Sequence, residues 1–284
     1  MTTLIRVDDM HDYRQILDRI LTEGEYSSPR GLSTLDLGYT TIAFHKPEHM
    51  LIRGNGRGLS AKIAAVEAIQ LIGGFHDADL MNWASPNFKQ FMDDGWFWGA
   101  YGSRIGHQME AVANKIMADR ETRQAVVTLW NPQFDNIEGK HDYPCTVSLG
   151  YRIRAGSLDA WTFMRSNDAW LGLPYDVFQF TQLQRTLARS LGVPSGTYTH
   201  TAASLHVYVD NIDQINKITH GGIGLWEPDG IGDGIETMRT ISQRARMIGQ
   251  WPGDLKENLM TESEKWYVRI LDPFHADVPK AELG

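Results

Sequence analysis

The segment "DYPCTVSLGYRI" sets Cys145, the only cysteine in the chain, directly after a proline and at the mouth of a strand-like run. A thiolate there is held rigidly yet stays accessible, which suits a nucleophile. A lone cysteine is ordinarily no more than a small buried hydrophobe, but its company here is polar and specific. "MRSNDAWLGLPYD" supplies Arg165 and Ser166, a cation and a hydroxyl suited to a phosphate. "SLHVY" supplies His206 and Tyr208, which strand alternation turns to one face. Such a set can bind a nucleotide. Two carboxylates stand in apolar surroundings. Glu67 has Ile63 and Leu71 four residues to either side, so a helix buries it on an apolar face, where desolvation raises its pKa. Asp176 interrupts the apolar run "PYDVFQFTQL" near the start of a second helix, where the macrodipole alone would favour it.

The elements that must carry these residues can be read from periodicity. Residues 59–74, "LSAKIAAVEAIQLIGG", form a predicted helix stopped by a glycine pair. Residues 174–192 form another, starting at Pro174, with Val177, Phe180, Leu183, Leu187 and Leu191 on one face. Strands are predicted at 125–130, 146–154, 158–166 and 204–209, the middle pair joined by the turn Ala155-Gly156-Ser157. A mixed or antiparallel sheet flanked by helices follows, an α+β fold. No repeat, low-complexity tract or long proline-serine hinge divides the 284 residues, so a single domain over 1–284 is expected.

Composition narrows the function. A formal charge of −8 argues against nucleic acid as a partner, because binding a phosphate backbone needs an excess of lysine and arginine. Small anions remain possible ligands, since a few arginines act locally. The opening residues lack a basic segment followed by an apolar one, and no apolar run is long enough to cross a membrane, so a cytoplasmic protein without membrane contact is expected. One cysteine excludes an internal disulfide and fits a reducing compartment. "RGNGRGLS" at 53–60 does not complete a dinucleotide or P-loop motif. His45 and His49 are separated by Pro47, which spoils helical metal-ligand spacing, so no metal is expected. The glycine-rich residues 221–234 read as a solvated connection.

Pro144-Cys145, then Arg165-Ser166-x-Asp168-x-x-Leu171-Gly172-Leu173-Pro174, then His206-x-Tyr208 is the motif order of the thymidylate synthase superfamily, which the chain resembles over most of its length. The resemblance implies a homodimer that associates through the sheet and builds each active site from both subunits. It implies Glu67 as general acid/base, Tyr101 in "WGAYGSRI" as the active-site tyrosine, and Arg30 in "SPRG" as a mobile phosphate clamp. "ETRQAVV" resembles the arginine pair sent across the dimer interface, with Arg123 kept and Gln124 in place of the second. Asp168 corresponds to the residue that holds the pterin ring of the family's carbon donor, 5,10-methylenetetrahydrofolate. Trp83 and the aromatic run 95–102 are candidates for the folate wall, although core packing explains each equally well.

Thymidylate synthases carry asparagine where this chain has Asp176, and that amide donates to uracil O4 and accepts from N3–H. Cytosine reverses the pattern. A carboxyl suits it: one oxygen accepts from the exocyclic amine while a proton is shared between the other and N3. The chain is in this respect most like the phage deoxycytidylate (dCMP) hydroxymethylases of the superfamily. The implied reaction adds the Cys145 thiolate to C6 of the base, which activates C5 to take the folate carbon. Water then completes 5-hydroxymethylation. The resemblance also implies arginines that lower the Cys145 pKa. Methylation of dCMP, action on CMP, thymidylate synthesis from dUMP and a catalytically idle nucleotide- or RNA-binding relative stay open.

Overall fold

The computed structural model describes residues 3–7, 10–45, 51–52, 59–74, 78–218 and 225–226. The strands are β1 (Thr3–Val7), β2 (Glu25–Ser27), β3 (Thr34–Asp36), β4 (Thr40–Phe44), β5 (Leu51–Ile52), β6 (Val126–Thr128), β7 (Thr146–Arg154), β8 (Ser157–Met164), β9 (Asn167–Asp168), β10 (Ser195–Ala202), β11 (Leu205–Tyr208) and β12 (Leu225–Trp226). The helices are α1 (Met10–Glu23), α2 (Ala61–Gly73), α3 (Asp79–Ala84), α4 (Tyr101–Ala118), α5 (Pro132–Asp135), α6 (Leu173–Ser190) and α7 (Ile212–Asn216).

A six-stranded sheet runs β1-β4-β10-β8-β7-β6. Its β1/β4 and β10/β8 pairs are parallel and the others antiparallel, so the expected mixed sheet of an α+β fold is present. A smaller sheet, β2-β3-β11-β9, carries the two polar motifs side by side, because β11 pairs with β9 in the register His206↔Asp168. The β7–β8 turn puts Ala155 and Gly156 at φ 51° and 81°, the left-handed pair a tight hairpin needs. Strand ends differ from the periodicity reading by one or two residues, as at β8, which stops at Met164 before the chain turns into the Arg165 motif. Within the glycine-rich residues 221–234, Leu225 and Trp226 pair with β5 instead of lying in a connection. The other residues there, His49 and residues 53–58 lie outside the described residues.

Helices α2 and α6 pack on each other and bring Glu67 and Asp176 into the interior. Helix α2 starts where the Ser60 hydroxyl accepts from the Ile63 amide and ends on Gly74 at φ 74°, so both ends are capped. Helix α6 departs from the one-faced pattern read from its leucines. Val177, Phe180, Leu183, Leu187 and Leu191 are buried, but so are Phe178, Gln179, Thr181, Gln182, Gln184 and Thr186. Several of the polar ones donate locally or across to the sheet, although Gln184 Oε1 is buried without a partner. Thr181 and Thr186 donate to the Val177 and Gln182 carbonyls at 2.7 Å, and the Gln184 amide donates to the Leu158 carbonyl at 2.8 Å. Helix α6 is therefore a central helix covered on every side, and its first turns face the site.

Candidate active site

The site has a solvent-facing cavity and a buried polar layer. The cavity encloses about 580 Å³ and is lined by Arg30, Arg165, Ser166, His206 and Tyr208 among others, so these five sequence-predicted ligands share one space of nucleotide size. His206 and Tyr208 stand on one face of β11 with ring centroids 5.4 Å apart. Arg30 occupies the left-handed region at φ 56° within the Pro29–Gly31 turn, a conformation that costs a non-glycine residue roughly 1–2 kcal/mol. Its charge lies near the Tyr208 hydroxyl on β11 and favours that group's ionised form, against the larger effect of burial.

Cys145 lies behind this cavity, half-buried at the start of β7. Arg165 reaches it from the end of β8, where the Arg165 amide donates to the Cys145 carbonyl at 2.8 Å. The guanidinium is aimed by two backbone acceptors: Nε donates to the Pro144 carbonyl at 3.0 Å and Nη2 to the Tyr143 carbonyl at 3.2 Å. That leaves Nη2 3.7 Å from the Cys145 Sγ. The arginines do pull the thiol toward ionisation, but burial outweighs them. The net effect pushes the Cys145 pKa up, with Asp176 and Asp142 opposing the thiolate as well. The expectation of a lowered Cys145 pKa is thus corrected.

Tyr101, the first residue of α4, stacks on Phe180 with centroids 5.8 Å apart, and its hydroxyl accepts from the Thr146 amide at 3.3 Å. Burial raises its pKa far above the usual phenol value, so the hydroxyl stays protonated beside Cys145 and Asp176. Glu67 is pushed up to about 8 by burial first and by the Asp176 charge second. Its Oε2 is buried without a protein partner, an orphan acceptor of the kind a substrate or water satisfies.

Asp176 is buried and its pKa is pushed up to about 7 by desolvation, against the pull of two amide donors. Asn167 Nδ2 donates to Oδ2 at 2.7 Å, and Gln179 Nε2 donates to Oδ1 at 3.2 Å. Gly172 leaves room for this pair, because a Cβ there would sit 3.2 Å from Asn167 Nδ2 and 3.3 Å from Asp176 Oδ2. Neither Asn167 nor Gln179 stood out in the sequence. Gln179 was findable, since position i+3 on a helix faces Asp176.

The remaining predicted residues do not line the cavity. Asp168 Oδ1 accepts from the Trp170 and Leu171 amides at 2.7 and 3.1 Å, and its charge reaches Asp176 and Tyr208. Trp83 lies on α3 with the Lys62 ammonium 3.6 Å from its ring centre. Arg123 lines a separate polar cleft with Arg152 and Arg154, sharing no residue with the cavity of Arg30 and Arg165. Among the described residues there is no cluster of His, Cys, Asp or Glu able to hold a metal, and no helix long and apolar enough to cross a membrane.

A thiol beside an arginine, a buried glutamate and a cavity of nucleotide size lined by Arg30 and Arg165 are carried by one mixed-sheet scaffold. Residues 11–220 match the thymidylate synthase family model, and the chain belongs to that family. A deoxyuridylate hydroxymethyltransferase of Bacillus phage SP01 is 33% identical over 217 residues, covering 70% of this chain and 57% of that protein. A thymidylate synthase of Bacillus licheniformis is 30% identical over 136 residues, covering 44% of this chain and 48% of that protein. The chain thus spans about half the length of the curated relatives it matches.

Proposed function

We propose that the protein is a homodimeric 5-hydroxymethyltransferase of a cytosine nucleotide, dCMP, taking its carbon from 5,10-methylenetetrahydrofolate. The observation that carries this reading is the buried carboxyl of Asp176. Held by two amide donors and with a pKa near 7, it can present an acceptor and a shared proton side by side, as the amine and N3 of cytosine require.

Each residue has a task in this reading. Arg30, Arg165 and Ser166 take the nucleotide phosphate, and His206 and Tyr208 take the sugar. Cys145 adds through sulfur to C6, with Arg165 stabilising the thiolate as it forms. The folate supplies the one-carbon unit at C5, and Asp168 with Trp83 would hold it. The orphan Oε2 of Glu67 fits a group that receives and returns protons during the transfer, and a water held there adds to the new exocyclic carbon. Before that addition the C5 proton passes to a water oriented by the Tyr101 hydroxyl and tetrahydrofolate departs, which leaves the exocyclic methylene that the second water attacks. Departure of sulfur from C6 then restores the ring and frees Cys145.

A second reading, hydroxymethylation of deoxyuridylate, is favoured by the phage SP01 relative. A protonated carboxyl serves uracil as well when its proton lies on the oxygen that faces O4. Incubating the protein with dCMP, dUMP or CMP and methylenetetrahydrofolate, and weighing the products, separates these. A gain of one CH2O on dCMP supports the proposal. Exclusive conversion of dUMP overturns the cytosine reading, and formation of dihydrofolate indicates methylation.

A further inference from the structure

Behind Asp176 the Asn167 donor is the last link of a buried chain of hydrogen bonds, whose other members, Tyr198 and His200, have no part in the chemistry described above. Tyr198 Oη lies 2.9 Å from His200 Nδ1, His200 Nε2 lies 3.1 Å from Asn167 Oδ1, and Asn167 Nδ2 lies 2.7 Å from Asp176 Oδ2. Tyr198 and His200 are fully buried on β10, and Asn167 is buried on β9. The chain therefore crosses from the large sheet to the small one and ends on the base-reading carboxyl.

Its direction follows from donor and acceptor counting. Burial pushes the His200 pKa down to about 3, so the ring is neutral, with one donor and one acceptor. The Asn167 Oδ1 only accepts, so Nε2 carries the hydrogen, Nδ1 accepts, and the Tyr198 hydroxyl donates. The Asn167 amide is thereby held with Nδ2 toward Asp176. If the ring took its other tautomer, the amide would turn over and face Asp176 with an oxygen, which Oδ2 tolerates only when it is itself protonated.

A carboxyl proton avoids the oxygen that already accepts the shorter, better hydrogen bond. Oδ2 has the Asn167 bond at 2.7 Å and Oδ1 only the Gln179 bond at 3.2 Å, so the proton is directed to Oδ1. Which oxygen bears the proton decides the base: a proton facing N3 with an acceptor facing position 4 fits cytosine, and the exchanged arrangement fits uracil.

We propose that His200 is a specificity-positioning residue, which through Asn167 fixes the oxygen of Asp176 that presents a proton to the base. This rests on the reading of Asp176 as the base-recognition group. It accounts for a histidine, with no charge to offer, in the centre of a sheet where a leucine would pack as well.

Nucleotide binding tests it without requiring turnover. Kd values for dCMP and dUMP are measured by calorimetry for wild type, His200→Leu, His200→Gln and Tyr198→Phe, with folding checked by circular dichroism and thermal melting. His200→Leu should shrink the ratio of the two Kd values on the order of tenfold, because the amide is freed to turn. His200→Gln, whose amide can donate to Asn167 in place of Nε2, should restore most of the ratio. Tyr198→Phe should shift it in the same direction by less. Folded His200→Leu and Tyr198→Phe proteins with an unchanged ratio overturn the inference, even if both nucleotides bind more weakly. Should His200→Leu fail to fold, Tyr198→Phe alone decides. A wild type that prefers dUMP would overturn the cytosine reading only, since a collapse of that preference in His200→Leu still supports the relay. If the wild type binds neither nucleotide, both ideas fall.

Discussion

Glu67 on α2 and Asp176 on α6 are carried by two helices that pack together, and the charge of Asp176 adds to burial in holding Glu67 up at about 8. Two carboxyls brought together inside a helix-helix contact cannot both ionise cheaply. Neutral pH therefore finds the site with at least one of them carrying a proton, which is what a group that must alternately give and take protons needs.

Stability should record this. Below about 4.5 the Glu67 carboxyl is protonated in the folded and unfolded chains alike, and its stabilising contribution is fully present. As pH rises toward about 8 the unfolded chain ionises first, so folding binds more protons and loses stability across that window. Glu67→Gln removes the titration. Between pH 5 and pH 9 the wild-type Tm should fall relative to Glu67→Gln by roughly 2–10 °C, with kcat of the variant down roughly 100-fold or more. Parallel melting curves across this range would show that Glu67 titrates normally.

Cys145 yields a paired test. Because burial exceeds the pull of Arg165 and Arg30, the thiol of the free protein should react with iodoacetamide more slowly at pH 8 than free cysteine does. Arg165→Gln should slow it further, by removing the nearest charge that favours the thiolate. Cys145→Ser should abolish turnover while leaving nucleotide affinity within a few-fold, since serine keeps the shape and lacks the thiolate. Retained turnover would end the covalent mechanism.

Asp176→Asn examines base choice directly. The amide restores the donor and acceptor order that uracil needs, and a mismatched buried polar group costs about 1–3 kcal/mol, so kcat/KM for dCMP should fall roughly tenfold or more while that for dUMP rises. Equal losses on both nucleotides would make Asp176 a structural residue, whose two amide partners merely stabilise the α6 entrance.

Much of this site could be read from residue order. His206 and Tyr208 stand in a short motif whose strand setting fixes their direction, Arg165 and Ser166 stand at the link between β8 and β9, and β9 and β11 do lie side by side. Glu67 was betrayed by its apolar neighbours. The relay was not legible, because His200 and Asn167 are 33 residues apart and meet only where the two sheets approach. The raised thiol pKa escaped for a related reason. Motifs show which charges are near Cys145, but the balance between those charges and desolvation depends on how deeply the packed structure sinks the sulfur. Helix α6 hid its all-round burial, since Thr181, Thr186 and Gln184 look like a solvent face until their hydrogen bonds are traced.

Arg123 bears on assembly. Within one chain it lines a cleft apart from the cavity that holds Arg30 and Arg165, in the company of Asp119, Glu121, Arg152 and Arg154. The proposed two-fold dimer gives it a purpose, with Arg123 of one subunit reaching the phosphate of the nucleotide attached to Cys145 of the other. Subunit exchange tests this. A Cys145→Ala dimer and an Arg123→Glu dimer should each be inactive, and mixing them should place both lesions in one site of each heterodimer and none in the other. Random exchange makes half the dimers heterodimeric with one intact site each, so activity should recover to roughly a quarter of wild type per total subunit. Native mass spectrometry with one mutant isotope-labelled confirms that exchange is complete. If Arg123 served its own chain's pocket, every site would keep a lesion and no activity would return. If it were only a surface residue, the Arg123→Glu parent would be active before mixing. Gln124 stands beside it where the family resemblance implies a second arginine, and Lys115 Nζ lies 3.3 Å from the Gln124 Oε1, so in the proposed dimer Arg123 would be the single guanidinium of that pair. Assayed well below the nucleotide KM, the Arg123→Glu parent should therefore be inactive through lost phosphate affinity, with KM raised more than kcat is lowered.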